Sequence, residues 1–223
     1  MTEPGEDDIV VLTGSTPTRI RGTGAALRAG RALTVVAADE LFAWLGEQGR
    51  VVGGSAPRTL DGLAFDGMLY APPAPRAGPA LHFLQARVAA AHPRATLRRL
   101  ADQVRGPGGE PWIVSITFPD GARLLHLDLS LHSRTDEAWL SRASARFGNA
   151  EWTVVGMGYG EGAAVAQKLA RFGPNHVLFA ELVNGERREL GLPTELVTPW
   201  RDRLHAAGVE THVFATQTSF RFE

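Results

Sequence analysis

Short apolar runs, each ending in small or polar residues, set the order of the predicted elements along this chain. The runs Ile9 to Leu12 and Leu33 to Ala37 are apolar and mostly β-branched, which is typical of buried strands. Apolar residues at helical spacing follow the second run, namely Leu41, Phe42 and Leu45. Strands and helices that alternate in this way predict an α/β protein.

The second half of the chain has clearer patterns. Residues alternate between apolar and polar from Trp112 to Phe118, and Pro119-Asp120-Gly121 is a turn signal before a second run, Arg123 to Leu129. This order predicts a β-hairpin. A helix is predicted from Asp136 to Phe147, with Asp136 or Thr135 as its N-cap.

A strand–helix–strand unit follows, with strands at Trp152 to Val155 and His176 to Ala180 around a helix from Glu161 to Phe172. A last helix is predicted to begin at Thr198-Pro199 and to end at Gly208. Two short strands are predicted in the remaining residues to Phe222.

At 223 residues the chain is predicted to form a single domain, residues 1–223, with two small domains as the alternative. Residues 1–8 are predicted to be a solvated tail. Residues 50–70 predict short strands, Leu63 to Tyr70 among them. A proline-rich loop and a helical insertion over residues 79–110 follow, and Pro93 interrupts the helical pattern.

Composition excludes several classes of function. A formal net charge of -1 leaves no basic surplus for binding nucleic acid or anionic membranes. The absence of cysteine excludes disulfides, thiolate nucleophiles and cysteine-ligated metals. The acidic N-terminus lacks the order of a secretion signal, and no apolar run has the length of a membrane helix. A cytoplasmic protein without a cofactor is therefore predicted.

Glycines between the predicted strand and helix suggest one alternative function. Gly158 and Gly160 lie in the segment Gly156 to Gly162, and Glu181 closes the following strand. That spacing is found in dinucleotide-binding units, where glycines let the backbone approach a pyrophosphate. A flexible glycine-rich turn is the simpler interpretation, because such units usually begin a domain.

The segment LTGSTPTRIRG, Leu12 to Gly22, resembles the L-T-H-S-H-x-D-H-I-x-G motif of the metallo-β-lactamase superfamily, in particular its small cytoplasmic hydrolases of lactones and phosphoesters. The framework residues match in register, but the metal ligands do not. Gly14, Thr16 and Arg19 occupy the histidine positions and Thr18 the aspartate position. Glycine has no donor atom, threonine offers a weak one, and a guanidinium repels a divalent cation.

Later segments are similar to the same family in the same order. YAPPAPR, Tyr70 to Arg76, places Arg76 at a ligand histidine, and GARLLHLDLS, Gly121 to Ser130, places Asp128 at the bridging aspartate. Glu181 lies near the position of the last histidine ligand. The resemblance covers roughly Asp8 to Phe222.

The resemblance implies a metallo-β-lactamase-like αββα sandwich, with mixed sheets and outer helices. The motif begins so early that the expected fold is N-terminally truncated. An uncovered apolar sheet would aggregate, so a partner is expected: a homo-oligomer or a related catalytic subunit.

The predicted function is that of a non-catalytic subunit, a pseudoenzyme that supports a partner or holds a small anionic ligand. A vestigial cleft is expected to hold that ligand, lined by Thr16, Arg19, Arg76, Asp128 and Glu181. No metal is predicted there.

The alternative is a metal-independent enzyme with acid–base chemistry in the same cleft. Its candidate residues are Asp128, His126 and Glu181. A regular strand would place His126 and Asp128 on one face, with His132 nearby as a third group for a makeshift metal site. Ser15 and Ser130 are candidate nucleophiles without an evident base.

Overall fold

The computed structural model describes eight stretches of the chain and a few single residues. The stretches are 9–13, 34–37, 58–70, 112–128, 130–132, 134–156, 162–180 and 198–214, and the single residues are 23, 26, 29, 90, 91, 93, 94 and 97. Within this described part, no helix has both the length and the apolar character needed to cross a membrane.

The chain divides into two compact units. One comprises Met1–Thr2, Gly54–Ala71 and Trp112–Glu223, and the other comprises Glu3–Gly53 and Pro72–Pro111. The predicted single domain, with its insertion over residues 79–110, stays a prediction.

The second unit contains two short parallel strands. β1 (Ile9–Leu12) lies beside β2 (Thr34–Ala37), with Ile9 opposite Thr34 and Leu12 opposite Ala37. Parallel strands need a crossover connection, and Thr23 and Ala26 within this connection are helical. Val35 and Val36 are buried, as their apolar pattern predicts.

The first unit is built on a seven-stranded mixed sheet in sequence order. Its strands are β3 (Arg58–Leu60), β4 (Leu63–Leu69), β5 (Trp112–Thr117), β6 (Arg123–Asp128), β7 (Trp152–Gly156), β8 (His176–Ala180) and β9 (Glu210–Phe214). β3 to β6 are antiparallel, and β6 to β9 are parallel. The predicted hairpin and the predicted parallel strand–helix–strand unit are both present.

Three helices belong to the described part of this unit, and local chemistry sets their ends. They are α1 (Glu137–Phe147), α2 (Gly162–Ala170) and α3 (Thr198–Ala206). Asp136 is the N-cap of α1, because its carboxylate accepts a hydrogen bond of 2.7 Å from the backbone N–H of Trp139. Gly208, at a φ of +78°, follows the end of α3 in a conformation that favours glycine.

One face of the sheet carries the main hydrophobic core of this unit. Helix residues such as Leu140, Val165 and Leu204 pack there with the strand residues Val155 and Phe179. A smaller cluster forms among the alternate strand positions: Leu124, Val154, Leu178 and Ala180, with Trp152 partly buried beside them. Because strand side chains alternate between faces, both sides of β6 to β8 bury apolar surface.

Candidate functional site

Asp128 lies at the carboxyl end of β6, where the strand is irregular. The register with β7 shifts there, since His126 is opposite Val154 but Asp128 is opposite Val155. Asp128 has a φ of +49° and only 3% of its surface is exposed. An extra residue of this kind is a β-bulge, a feature that redirects side chains beside functional sites.

The bulge corrects the expectation that His126 and Asp128 share a face of one strand. That expectation assumed regular alternation, but two steps along β6 correspond to one step along β7. The residue between them, Leu127, is fully buried in the main core. Val154 and Val155, the two partners on β7, belong to opposite faces of the sheet. The register therefore does not place His126 and Asp128 together.

Hydrogen bonds shape the loop that follows Asp128. Ser130 N donates to Leu127 O at 3.0 Å, and the Thr135 hydroxyl contacts Ser130 O at 2.8 Å. Lys168 Nζ donates to Thr135 O at 3.0 Å from the neighbouring helix α2. Since Ser130, Thr135 and Lys168 are all buried, these contacts connect the described residues of the segment after Asp128 to one another and to α2.

The same loop positions His132 against Tyr70, a contact that the sequence does not indicate. The backbone N–H of Arg134 donates to His132 Nδ1 at 3.1 Å, so that nitrogen is an acceptor. A neutral ring then carries its proton on Nε2, which faces the Tyr70 hydroxyl at hydrogen-bonding range. Tyr70 also packs edge-on against Trp139, with ring centroids 4.9 Å apart. These contacts orient the His132 ring, with Nδ1 toward the Arg134 amide and Nε2 toward the Tyr70 hydroxyl.

The remaining predicted ligand-binding residues lie outside the described residues. These are Thr16, Arg19, Arg76, Glu181, Gly158 and Gly160. Ser15 lies outside them too. The glycine-rich segment is bounded by described elements, however: β7 ends at Gly156, α2 begins at Gly162, and β8 runs parallel to β7.

In the sequence resemblance to the metallo-β-lactamase superfamily, the residues at the metal-ligand positions do not fit a metal pair. Two divalent cations need several imidazoles and carboxylates, whereas this chain offers Gly14, Thr16, Thr18, Arg19 and Arg76. Asp128 is a suitable oxygen donor, but it is buried beside a bulge and one carboxylate cannot hold two cations. The resemblance therefore predicts an anion site more than a cation site at these positions, and this stays a prediction.

Comparison with solved structures identifies the fold. The chain is similar to the metallo-β-lactamase fold protein YhfI from Bacillus subtilis, with a TM-score of 0.56 at 11% identity, over 93% of this chain and 75% of that one. It is also similar to a possible metal-dependent hydrolase from Veillonella parvula DSM 2008, with a TM-score of 0.54 at 11% identity, over 93% and 73%. Neither protein-family profiles nor curated proteins match the sequence.

These similarities confirm the predicted metallo-β-lactamase-like α/β fold, with its mixed sheet and helices. At 11% identity they concern the fold alone. The loss of metal ligands and of activity, the truncated N-terminus and the cytoplasmic location stay predictions.

Proposed function

We propose that this metallo-β-lactamase-fold chain is a non-catalytic member of its fold, which binds a small anionic ligand where related hydrolases hold a metal pair. The observation that carries the proposal is the donor set itself. Asp128 is kept at the carboxyl end of β6, while the imidazole positions hold glycine, threonine and arginine.

The charges at these positions favour an anion. Arg19 and Arg76 are permanently charged and can each form paired hydrogen bonds to a carboxylate or phosphate. Two guanidinium groups suit a ligand that carries one or two negative charges.

The hydrogen bonds of the segment after Asp128 favour binding more than turnover. Thr135 and Lys168 fix its backbone through buried hydrogen bonds, and His132 is held by Tyr70 and the Arg134 amide. A preformed loop lowers the entropic cost of holding a ligand.

Inorganic phosphate is the probe for this proposal, titrated into the full chain by calorimetry. We expect one phosphate per chain, and at least about tenfold weaker binding in Arg19→Ala and Arg76→Ala, since a charge-assisted contact contributes roughly 1.5–3 kcal/mol. Arg58→Ala, at an exposed position of β3, is the matched control. Phosphate binding that survives both cleft variants contradicts the proposal.

Hydrolysis is tested on the same preparations. With zinc, manganese or iron supplied, we expect no turnover of a lactone, ester and phosphoester panel. Metal-stimulated turnover that is lost in Asp128→Asn would show that the chain is a metal-dependent hydrolase and would contradict the proposal. Metal-independent turnover lost in Asp128→Ala would support the acid–base enzyme with Asp128, His126 and Glu181, which stays a prediction.

A nucleotide-binding protein is the second candidate function. The parallel arrangement of β7, α2 and β8 around the segment Gly156 to Gly162 favours it, because a helix N-terminus after a strand can receive a phosphate. Thermal shift assays with NAD, NADP, FAD and ATP test it, and the absence of any shift removes it.

A further inference from the structure

Three potential metal ligands converge at the amino ends of the last two parallel strands. His176 is the first residue of β8 and pairs with Glu210, the first residue of β9. His212 lies two positions beyond Glu210 and therefore projects from the same face of β9. The sheet thus places two imidazoles and a carboxylate side by side.

Two of their separations, both to Glu210, match those of ligands that share one metal ion. His176 Nδ1 lies 3.0 Å from Glu210 Oε2, and His212 Nε2 lies 3.3 Å from Glu210 Oε1. Bonds of ~2.0–2.1 Å to one metal place neighbouring ligand atoms about 2.9 Å apart in an octahedron and about 3.3 Å apart in a tetrahedron. All three residues can present a ligand atom within 4.8 Å of the others.

The direction of the His176 contact also suits a metal. Its Nδ1 is buried and close to the Glu210 carboxylate, but this contact does not have the alignment of a hydrogen bond. A ring nitrogen directs its lone pair or its proton along one line in the ring plane. In this structure the line from His176 Nδ1 does not point at the carboxylate oxygen. Two ligands of one ion are related in this way, because each points at the ion and not at the other ligand.

Trp152 and the backbone hold the cluster in place. The indole stacks on the His176 ring, with centroids 4.5 Å apart and planes 17° apart, and lies 5.4 Å from the His212 ring. His176 N donates to Glu151 O at 2.9 Å, and Glu210 N donates to Asn175 O at 3.2 Å. An aromatic wall and a fixed backbone restrict the rotamers of the ligands before any ion binds.

We infer that His176, Glu210 and His212 form a binding site for one borderline divalent cation, with Zn²⁺ the expected ion. Two imidazoles and one carboxylate are ligands that zinc accepts. With three protein ligands, one or more coordination positions remain for water or for an anionic group. The side chains of His176 and His212 are 30% and 31% exposed and that of Glu210 is 58% exposed, so the ion is accessible from solvent.

This site is distinct from the position of the family's metal pair. Asp128 is opposite Val155 near the carboxyl end of its strand, and Val155 is in turn opposite Phe179. His176 lies three residues before Phe179, which corresponds to roughly 10 Å along the strands. The inference is therefore independent of the proposed anion site.

Calorimetric titration of the chelator-treated full chain with ZnSO₄ tests the inference. We expect one Zn²⁺ per chain. His212→Ala and Glu210→Gln should weaken binding by more than the ~10–100-fold that loss of an outer-shell partner costs. Co²⁺ substitution should give visible absorption bands that both variants lose. Circular dichroism of each metal-free variant confirms that it is folded.

Two controls separate this inference from the proposed function. His205→Ala removes an exposed imidazole from α3 and should leave Zn²⁺ affinity unchanged, as should Asp128→Asn. Zinc binding that is absent, or unaffected by the His212 and Glu210 variants, overturns the inference. Zinc binding lost in Asp128→Asn instead would place the metal at the family position and overturn the non-catalytic proposal.

Discussion

At the scale of single residues, Lys168 is a buried charge that contacts the backbone of the segment after Asp128. It is the only lysine in the chain, and only 9% of its surface is exposed. Its ammonium group donates to Thr135 O and lies 3.6 Å from Glu137 Oε1, a largely exposed carboxylate. The sequence places Lys168 within the helix predicted from Glu161 to Phe172, where a solvated side chain is the usual outcome.

Replacing Lys168 with methionine should destabilise the protein by about 1–3 kcal/mol, because a buried carbonyl loses its donor. Urea unfolding of Lys168→Met measures this change. Arg171→Met is the matched control, since Arg171 also contacts Glu137 but is 40% exposed; its expected cost is below about 1 kcal/mol. Equal costs for the two variants would show that Lys168 has no structural role in the loop.

At the scale of elements, β4 and β5 show why one position in a strand is a glycine. A Cβ added to Gly67 would lie 2.2 Å from the indole ring of Trp112, and Trp112 is 2% exposed. The two strands pair in antiparallel orientation, with Gly67 opposite Val114. The ring of Trp112 therefore covers the space that a side chain at position 67 would fill.

Gly67→Ala should cost about 1–3 kcal/mol through overpacking against Trp112. The same substitution should cost much less in a Trp112→Leu background, where the obstructing ring is gone. Equilibrium unfolding of the four proteins in this cycle gives the coupling, expected to be about 0.5–3 kcal/mol. Additive effects would mean that the glycine is kept for a reason other than the indole.

Elements were predicted well where their signals are local. Asp136 was predicted as a cap of α1 and is its N-cap, and the turn Pro119-Asp120-Gly121 joins β5 to β6 with Asp120 accepting from Ala122 N at 2.9 Å. The short strand β3 was not predicted individually. Its signal was present in Asp61-Gly62, where both residues adopt a positive φ, as a type I′ hairpin turn requires.

At the scale of the whole molecule, the sequence resemblance predicts a partner protein. It is a second copy of this chain or a related catalytic subunit, expected from the sequence resemblance. We expect purification at native abundance, followed by light scattering, to yield an oligomer or a complex with a related hydrolase. Recovery of only a stable, soluble monomer would contradict this prediction.

The bulge in β6 marks a limit of prediction from sequence for the candidate site. Asp128 was identified through its resemblance to a family position, and it does lie at the carboxyl end of its strand. The prediction that Asp128 shares a strand face with His126 was wrong, because the register shift depends on pairing with β7. Such a shift leaves no sign in the sequence of a six-residue strand.

The sequence by itself determined the order of strands and helices, because periodicity and caps are properties of neighbouring residues. It also shows that the segment Leu12 to Gly22 contains no histidine. Only the tertiary structure brought His132 to Tyr70 and His176 to Glu210 and His212. The contacts of His132 with Tyr70 and of His176 with Glu210 join residues from different elements of the fold. Strand register, set by the packing of the whole sheet, decides which side chains meet.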